Sequence, residues 1–127
     1  MVIKYRIRTI VEGDVEGKGL VINQAVSFLG DLDPKNGVLL GKYLVKDLIL
    51  FIPYGKGSTV GSYVIYGLKK YGNSPKAIVM SRADAVTITG CILADIPLFD
   101  GLPIEFFKKE RMIERVRIKD NICEVFE

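Results

Sequence analysis

Residues 53–62 read Pro-Tyr-Gly-Lys-Gly-Ser-Thr-Val-Gly-Ser, and they join two segments of different periodicity. The apolar run Leu44–Ile52 before them predicts a buried strand, because a nearly continuous apolar stretch is typical of a strand covered on both faces. Tyr63–Lys70 after them predicts a helix, with Val64 and Leu68 one helical turn apart. A strand, a glycine-rich turn and a helix in this order indicate an α/β unit.

Further short strands are predicted on both sides of this unit. The alternation of Ile3, Tyr5 and Ile7 with charged residues predicts a half-buried strand, and Glu114–Ile118 with Ile122–Phe126 predicts a hairpin. The other predicted strands are Gly19–Ile22, Ala77–Met80 and Val86–Thr89, with turns or loops at Glu12–Asp14, Glu16–Gly19, Ser27–Val38 and Pro97–Pro103. Many short strands and one clear helix predict a single β-rich α/β domain over residues 1–127.

The composition excludes several classes of function. A net charge of +3, with basic residues scattered among acids, gives no electrostatic footprint for nucleic acid, and no apolar run is long enough to span a membrane. The N-terminus lacks the features of a signal peptide, and only two cysteines, Cys91 and Cys123, are present, so we expect reduced thiols and a cytoplasmic location. With no histidine, the chain alone cannot supply a histidine- or cysteine-rich metal site. A metal cofactor would have to come from another polypeptide.

The glycine–serine segment is chemically suited to negative charge. A helix N-terminus offers unpaired N–H groups and the positive end of the helix dipole, which together hold anions. The segment is not a Walker P-loop, because no glycine stands at the required distance before Lys56, and the spacing of its glycines is one residue too long for a dinucleotide fingerprint.

Three roles for this segment remain open from the residues alone. Ser58 could accept a proton if Lys56, a partner chain or a metal-bound substrate supplies positive charge, because an unassisted serine is a poor base. The hydroxyls of Ser58, Thr59 and Ser62, with nearby backbone N–H groups, could instead bind a phosphate. Ser58 or Thr59 could also simply cap the helix, with Gly61 allowing close packing against the sheet.

Three blocks of the sequence together resemble the small subunit of the aconitase X family. They are residues 53–63 (Pro-Tyr-Gly-Lys-Gly-Ser-Thr-Val-Gly-Ser-Tyr), residues 73–79 (Asn-Ser-Pro-Lys-Ala-Ile-Val) and residues 89–97 (Thr-Gly-Cys-Ile-Leu-Ala-Asp-Ile-Pro). The loop 27–34 (Ser-Phe-Leu-Gly-Asp-Leu-Asp-Pro) is similar to the same family. The resemblance covers most of the chain, and its blocks fall in the expected order.

The resemblance implies a swivelling β/β/α domain like the fourth domain of aconitases. That domain carries a Gly-x-Gly-Ser-Ser-Arg loop whose first serine is the catalytic base, which by position is Ser58 here. The chain departs from the pattern at Thr59 and Val60, where a second serine and the arginine would stand. Lys56 or a residue of the partner would then support Ser58, and Ser62 is a second candidate for the base. The predicted substrate-binding residues are Gly57, Thr59, Gly61 and Ser62.

The resemblance also implies a reaction and a partner. The expected reaction is the dehydration of (R)-5-phosphomevalonate to trans-anhydromevalonate 5-phosphate in a modified mevalonate pathway, known from archaeal members of the family. The expected partner is a large subunit that holds a 4Fe-4S cluster, so this chain would bind no metal and would be inactive alone. Two alternatives stay open: the small subunit of a related dehydratase for another hydroxy acid, such as hydroxyproline, and a non-catalytic module that binds phosphate or a partner.

Overall fold

The computed structural model describes all residues, 1–127, and strands predominate in it. The strands are β1 (Val2–Arg6), β2 (Arg8–Val11), β3 (Val15–Val21), β4 (Leu32–Asp33), β5 (Val38–Leu39), β6 (Tyr43–Leu44), β7 (Ile49–Ile52), β8 (Ala77–Met80), β9 (Leu98–Asp100), β10 (Arg111–Lys119) and β11 (Ile122–Phe126). The helices are α1 (Phe28–Asp31), α2 (Gly61–Lys70) and α3 (Ala85–Ala94), with a 3₁₀ turn at Ile104–Phe107. Two helices of ten residues, rather than the one predicted, accompany the strands.

Eight strands form one sheet in the order β1-β11-β10-β3-β7-β8-β9-β2, while β4, β5 and β6 form a small separate sheet. The neighbours β3, β7, β8 and β9 run parallel, and the other pairs of the large sheet are antiparallel. β1 and β2 lie at opposite ends of this order, although only Ile7 separates them in the chain. The sheet therefore curls until its ends approach each other, and its antiparallel half covers one face of its parallel half.

The parallel strands send alternate side chains into two separate hydrophobic cores, because successive residues of a strand point to opposite faces. One core lies between the two halves of the curled sheet, and the other lies between the parallel strands and the helices. From β7 and β8, the inter-sheet core receives Ile49, Phe51, Ala77 and Val79, and the helix-side core receives Leu50, Ile52, Ile78 and Met80. The layers are thus sheet, sheet and helices, which confirms the predicted β/β/α architecture.

Helices α2 and α3 pack against each other on the same side of the parallel strands, since each connects two neighbouring strands. Their contact is closest at Gly90, where a Cβ atom would lie 2.7 Å from Cδ1 and 2.8 Å from Cβ of Ile65. A side chain at position 90 would therefore push the helices apart.

Two predictions about the elements that flank the glycine–serine segment need correction. The strand predicted at Leu44–Ile52 begins only at Ile49, because Lys46 and Asp47 form a turn in which Asp47 has a φ of 63°. The helix predicted from Tyr63 begins two residues earlier, at Gly61.

The strand predicted at Val86–Thr89 is wrong, because these residues belong to α3. Asp84 caps the helix by accepting a hydrogen bond from the Thr87 N–H, and Asp95 ends it in the left-handed conformation. Local capping and tertiary contact outweigh the strand preference of the β-branched side chains here.

The segments predicted as turns at Glu16–Gly19 and as a loop at Pro97–Pro103 contribute to strands β3 and β9. Gly19 lies within β3, where it pairs with Ile49 of β7. A Cβ at this position would be 2.9 Å from the Phe51 ring, so the glycine makes room for that ring. The region predicted as irregular, Ser27–Val38, contains α1 and β4 and reaches β5.

The closing hairpin of β10 and β11 is confirmed. Asp120 and Asn121 form its turn with φ values of 53° and 62°. Two consecutive positive φ values are what a tight hairpin turn of the I′ type requires, and Asp and Asn tolerate them better than most residues do.

Candidate functional site

The glycine–serine segment lies at the carboxyl edge of the parallel strands. β3, β7 and β8 are neighbours in the sheet and run in the same direction, so the loops that follow them, 22–27, 53–60 and 81–84, come together there. Ligands of open α/β sheets bind at this edge, because loops and helix N-termini converge on it.

Backbone hydrogen bonds tie these three loops to one another. The Val26 N–H donates to the Tyr54 carbonyl at 3.1 Å, and the Lys56 N–H donates to the Val26 carbonyl at 2.9 Å. On the other side, the Ser81 N–H donates to the Pro53 carbonyl at 3.0 Å. The segment with the candidate serine is therefore held between its two neighbours.

Ser58 stands at the start of the turn that leads into α2, and its side chain is exposed. Its Oγ accepts a hydrogen bond from the Val60 N–H at 3.2 Å, and its carbonyl oxygen accepts one from the Gly61 N–H at 3.0 Å. The serine thus closes the turn that precedes α2, but it does not cap the helix, because the N-cap residue is Val60 and no side-chain capping hydrogen bond is present. The Val60 N–H that Oγ already accepts would also stabilise negative charge on that oxygen.

Gly57 gives the segment its shape. Its φ of 94° lies in a region that side chains rarely adopt, and a Cβ there would lie 2.5 Å from Oγ of Ser27. Ser27 therefore fills the space beside Gly57, and its own N–H donates to the Asp31 carboxylate at 2.9 Å. The loop similar to the aconitase X family thus packs directly against the glycine next to Ser58.

Lys56 and Thr59 flank Ser58 and are exposed. The Lys56 ammonium makes no ion pair or hydrogen bond within the chain, and it is not in hydrogen-bond contact with Ser58. Thr59 contributes its carbonyl, which accepts from the Ser62 N–H at 3.3 Å. Both side chains are free to reach a bound molecule.

Gly61 and Ser62 are buried in the contact between α2 and its neighbours. The Ser62 hydroxyl donates to the Val86 carbonyl at 2.9 Å, which ties α2 to α3. A Cβ on Gly61 would lie 3.2 Å from Cγ1 of Val86 and 3.3 Å from Cβ of Phe28. A direct role for Ser62 would require its hydrogen bond to break, so the geometry favours Ser58 of the two serines.

Sequence reasoning missed the loop 81–84. Asp84 accepts hydrogen bonds from the Thr87 N–H at 3.2 Å and from the Thr87 hydroxyl at 2.7 Å, and a Cβ on Gly55 would lie 2.5 Å from its Oδ1. The sequence signal was available, because an aspartate immediately before an apolar run is a common N-cap of a helix. The contact between Asp84 and Gly55 could not be predicted from the local sequence, because it depends on which strands are neighbours in the sheet.

The buried carboxylate of Asp100 also holds the loop 81–84 in place. Asp100, almost fully buried, accepts hydrogen bonds from Nε and Nη2 of Arg8, both at 2.8 Å, and from the Ala83 N–H at 2.9 Å. Burial alone would raise the pKa of Asp100, but these hydrogen bonds and the charges of Arg8 and Arg82 outweigh it, so the pKa lies below its ordinary value.

Three acids in the loops and at the helix ends, which could in principle contact a metal or a partner, have local structural roles. Asp31 accepts from Ser27, Asp33 accepts from the N–H groups of Lys35 and Asn36, and Asp95 terminates α3. Acids in turns and at helix ends are more often caps than ligands, and these three follow that rule.

The residues of this chain do not fit an iron–sulfur cluster. No three His, Cys, Asp or Glu side chains are grouped so that they could hold a metal ion. Cys91 lies in the helix-side core and Cys123 in the inter-sheet core, both as free thiols. Burial raises the pKa of each thiol to about 12, so neither favours the thiolate form that metals bind. None of the helices is long and apolar enough to cross a membrane.

The chain is similar to known proteins over nearly its whole length. A family model described as the aconitase X swivel domain matches residues 4–125. A phosphomevalonate dehydratase small subunit of Aeropyrum pernix is 49% identical over 125 residues, which cover 98% of this chain and 94% of the relative. The small subunit of the same name in Thermococcus onnurineus is 40% identical, with 98% and 99% covered. A chain from the crystal structure of Thermococcus kodakaraensis aconitase X in its holo-form matches with a TM-score of 0.85 and 39% identity, covering 98% of this chain and 99% of that one.

Proposed function

Because the chain belongs to the aconitase X swivel-domain family, we propose that it is the small subunit of a phosphomevalonate dehydratase, a two-subunit hydro-lyase. The observation that carries this proposal is the near full-length similarity to subunits of that name, at 49% identity in one case. The exposed Ser58 at a helix start, on the edge where three loops meet, supplies the matching chemistry.

The proposed reaction dehydrates (R)-5-phosphomevalonate to trans-anhydromevalonate 5-phosphate. A proton leaves the carbon beside the carboxylate, the hydroxyl group leaves the neighbouring carbon, and a double bond and water are formed. The small subunit's part is to accept the proton. This requires an oxygen that substrate can reach and that can carry negative charge for the duration of the step.

Ser58 meets both requirements better than any other hydroxyl of the site. Its side chain is exposed, its Oγ already accepts the Val60 N–H, and it stands at the positive end of the α2 dipole. We propose Ser58 as the proton acceptor and Lys56, two residues away with an unpaired ammonium, as its electrostatic support. Gly57 and Thr59 can offer backbone N–H groups to substrate, while Gly61 and Ser62, whose N–H groups donate to the Ser58 and Thr59 carbonyls, shape the turn.

The other half of the active site belongs to a large subunit in this proposal. The name of the relatives, small subunit, implies such a partner. Beside Ser58, a groove of about 360 Å³ between α2 and α3 is lined in part by Val60, Tyr63 and Leu93, which are 47%, 70% and 50% exposed. Apolar side chains this exposed at the rim of a site suit contact with another subunit.

A 4Fe-4S cluster is the cofactor that we propose for the large subunit, since the residues of this chain cannot hold one. Such a cluster supplies a Lewis acid for the departing hydroxyl. We place the complex in the cytoplasm, where a reducing environment keeps thiols such as Cys91 and Cys123 unpaired.

The test is turnover of (R)-5-phosphomevalonate by the complex reconstituted with its large subunit. Ser58→Ala should lower kcat by about 10²- to 10⁴-fold, the usual contribution of a positioned general base, while the complex still assembles. Ser74→Ala is the matched control, because the Ser74 hydroxyl makes no hydrogen bond and lies beyond the far end of α2.

Three outcomes would contradict the proposal in different ways. No turnover of phosphomevalonate by the wild-type complex would refute the substrate, and activity on hydroxyproline instead would favour the related dehydratase. A near-normal rate for Ser58→Ala would refute the role of the serine and favour a binding module. Loss of assembly in Ser58→Ala would show that the serine acts on the interface and not on the proton.

A further inference from the structure

The carboxylates at the carboxyl edge of the parallel strands already have hydrogen-bond partners within the chain. Asp84 accepts two hydrogen bonds from Thr87. Asp100 is bound by Arg8 and by the Ala83 N–H. Asp31 accepts the Ser27 N–H. Each of these acids is engaged in holding a loop.

Two of the three cationic side chains at the same edge have no such partner. Lys56 and Arg82 are exposed, and neither side chain has an ion pair or hydrogen bond within the chain. Arg8 is the exception, because both of its bonds go to Asp100. The charged side chains that this edge leaves without an ion pair or hydrogen-bond partner are therefore cationic, and they come from two neighbouring loops.

The backbone of Arg82 is held firmly although its side chain is free. Its N–H donates to the Pro53 carbonyl at 3.4 Å, and the N–H groups on either side, of Ser81 and Ala83, donate to Pro53 and Asp100 at 3.0 and 2.9 Å. This places Arg82 beside the loop that carries Ser58. An arginine on a rigid backbone loses less conformational freedom when it binds a ligand than one on a mobile loop would.

We propose that Arg82 binds the phosphate group of the substrate. The proposal rests on the function proposed above, which supplies a substrate with a carboxylate at one end and a phosphate at the other. Ser58 must approach the carboxylate end, so the group that binds the phosphate must stand to one side of the serine, and Arg82 on the adjacent loop does so. A planar guanidinium also matches phosphate oxygens with two parallel hydrogen bonds, which an ammonium cannot do.

Lys56 and Arg82 then have different tasks, which kinetics can separate. Lys56, within the serine loop, supports charge that develops on Ser58, so its removal should lower kcat. Arg82 contacts a group that is anionic before, during and after the reaction, so its removal should weaken binding and leave kcat nearly unchanged.

The experiment compares Arg82→Gln, Arg82→Lys and Lys56→Gln with wild type in the reconstituted complex. Arg82→Gln should raise KM for phosphomevalonate by about 10- to 100-fold, the range for a lost charge-assisted hydrogen bond, with kcat within about threefold. Arg82→Lys should fall between, because it keeps the charge and loses the paired geometry. Lys70→Gln is the matched control, since Lys70 is exposed, makes no ion pair and lies at the far, C-terminal end of α2.

Binding of inorganic phosphate, measured by calorimetry on the same complexes, separates this proposal from the proposed function. Arg82→Gln should weaken phosphate binding about tenfold or more even if phosphomevalonate is not the substrate. An unchanged KM together with unchanged phosphate binding would overturn the role of Arg82. A loss confined to kcat would also overturn this role, because a residue that only binds phosphate should affect KM. Failure of Arg82→Gln to assemble with the large subunit would overturn it as well, because the proposal gives the exposed Arg82 side chain no part in the subunit interface.

Discussion

Replacement of Gly57 by alanine tests the geometry that presents Ser58. Two separate obstacles oppose the new side chain. The backbone has a φ of 94°, which alanine adopts only with strain, and the new Cβ would lie 2.5 Å from Oγ of Ser27. We expect Gly57→Ala to destabilise the chain and also to displace the serine that follows it.

The magnitude follows from the two obstacles taken separately. A positive φ costs a non-glycine residue roughly 1–2 kcal/mol. The collision with Ser27 adds about 1 kcal/mol, because the hydroxyl can move only by giving up its place against the turn. The total is about 2–3 kcal/mol, or a fall in Tm of roughly 6–15 °C for a domain of this size.

Gly72 is the matched control, because its φ is also positive and a side chain there would meet no neighbour. Its φ is 74°, and nothing lies within 4 Å of a Cβ placed there. Gly72→Ala should therefore cost only the conformational part, roughly 1–2 kcal/mol. The difference between the two variants in urea unfolding measures the collision with Ser27.

The double variant Gly57→Ala, Ser27→Ala completes the cycle. Without Oγ the nearest side-chain contact is Cβ of residue 27 at 3.2 Å, which is tight but tolerable. We expect a favourable coupling of about 1 kcal/mol between the two substitutions. Equal effects of Gly57→Ala and Gly72→Ala, or strict additivity in the double variant, would refute the packing of Ser27 against Gly57.

Two further substitutions probe the supports of the site. Asp100→Asn should destabilise the chain by about 1–3 kcal/mol at neutral pH, because Arg8 and the loop 81–84 lose a charged acceptor. Since the folded-state pKa of Asp100 is lowered, this difference should be complete above the unfolded-state pKa, about 4 for an aspartate, and should disappear as the pH falls through the lower folded-state pKa. A difference that stays unchanged in urea unfolding as the pH falls well below about 4 would contradict the ionic role. Gly90→Ala should lower the free energy of unfolding by at least about 1 kcal/mol, in spite of alanine's better helix propensity. A second substitution, Ile65→Val, should not restore the stability, because the contact of 2.8 Å with Cβ of residue 65 remains. Rescue by Ile65→Val would show that the helices are limited by the tip of that side chain and not by their backbones.

The parts of the fold that could be predicted are those with a local cause. The hairpin at Asp120 and Asn121 was predictable because those two residues themselves adopt the conformation that the turn needs. The segment Val86–Thr89 was not, because its β-branched residues favour a strand in isolation and form a helix only with the cap at Asp84 and the close approach of α2 at Gly90.

The residues of the candidate site likewise differ in whether the local sequence reveals them. Ser58 could be found from the sequence, because glycines and hydroxyls before a helix have a local chemical meaning and because the family resemblance pointed to the same residue. Arg82 could not, because its position beside Pro53 arises from the pairing of β7 with β8 and from a hydrogen bond between loops that are distant in sequence. Residues of this kind require the topology before their chemistry can be assessed.

The two cores on either side of the parallel strands also bear on how this domain can evolve. Ile49–Ile52 and Ala77–Met80 are completely buried, so these strands have no solvent-facing position at which a polar substitution would be neutral. The loops at their carboxyl ends carry Lys56, Ser58 and Arg82, all exposed. Selection can therefore change the ligand that the loops recognise while the strands that position them stay nearly constant, and substitutions in the inter-sheet core should combine almost additively with those at the site.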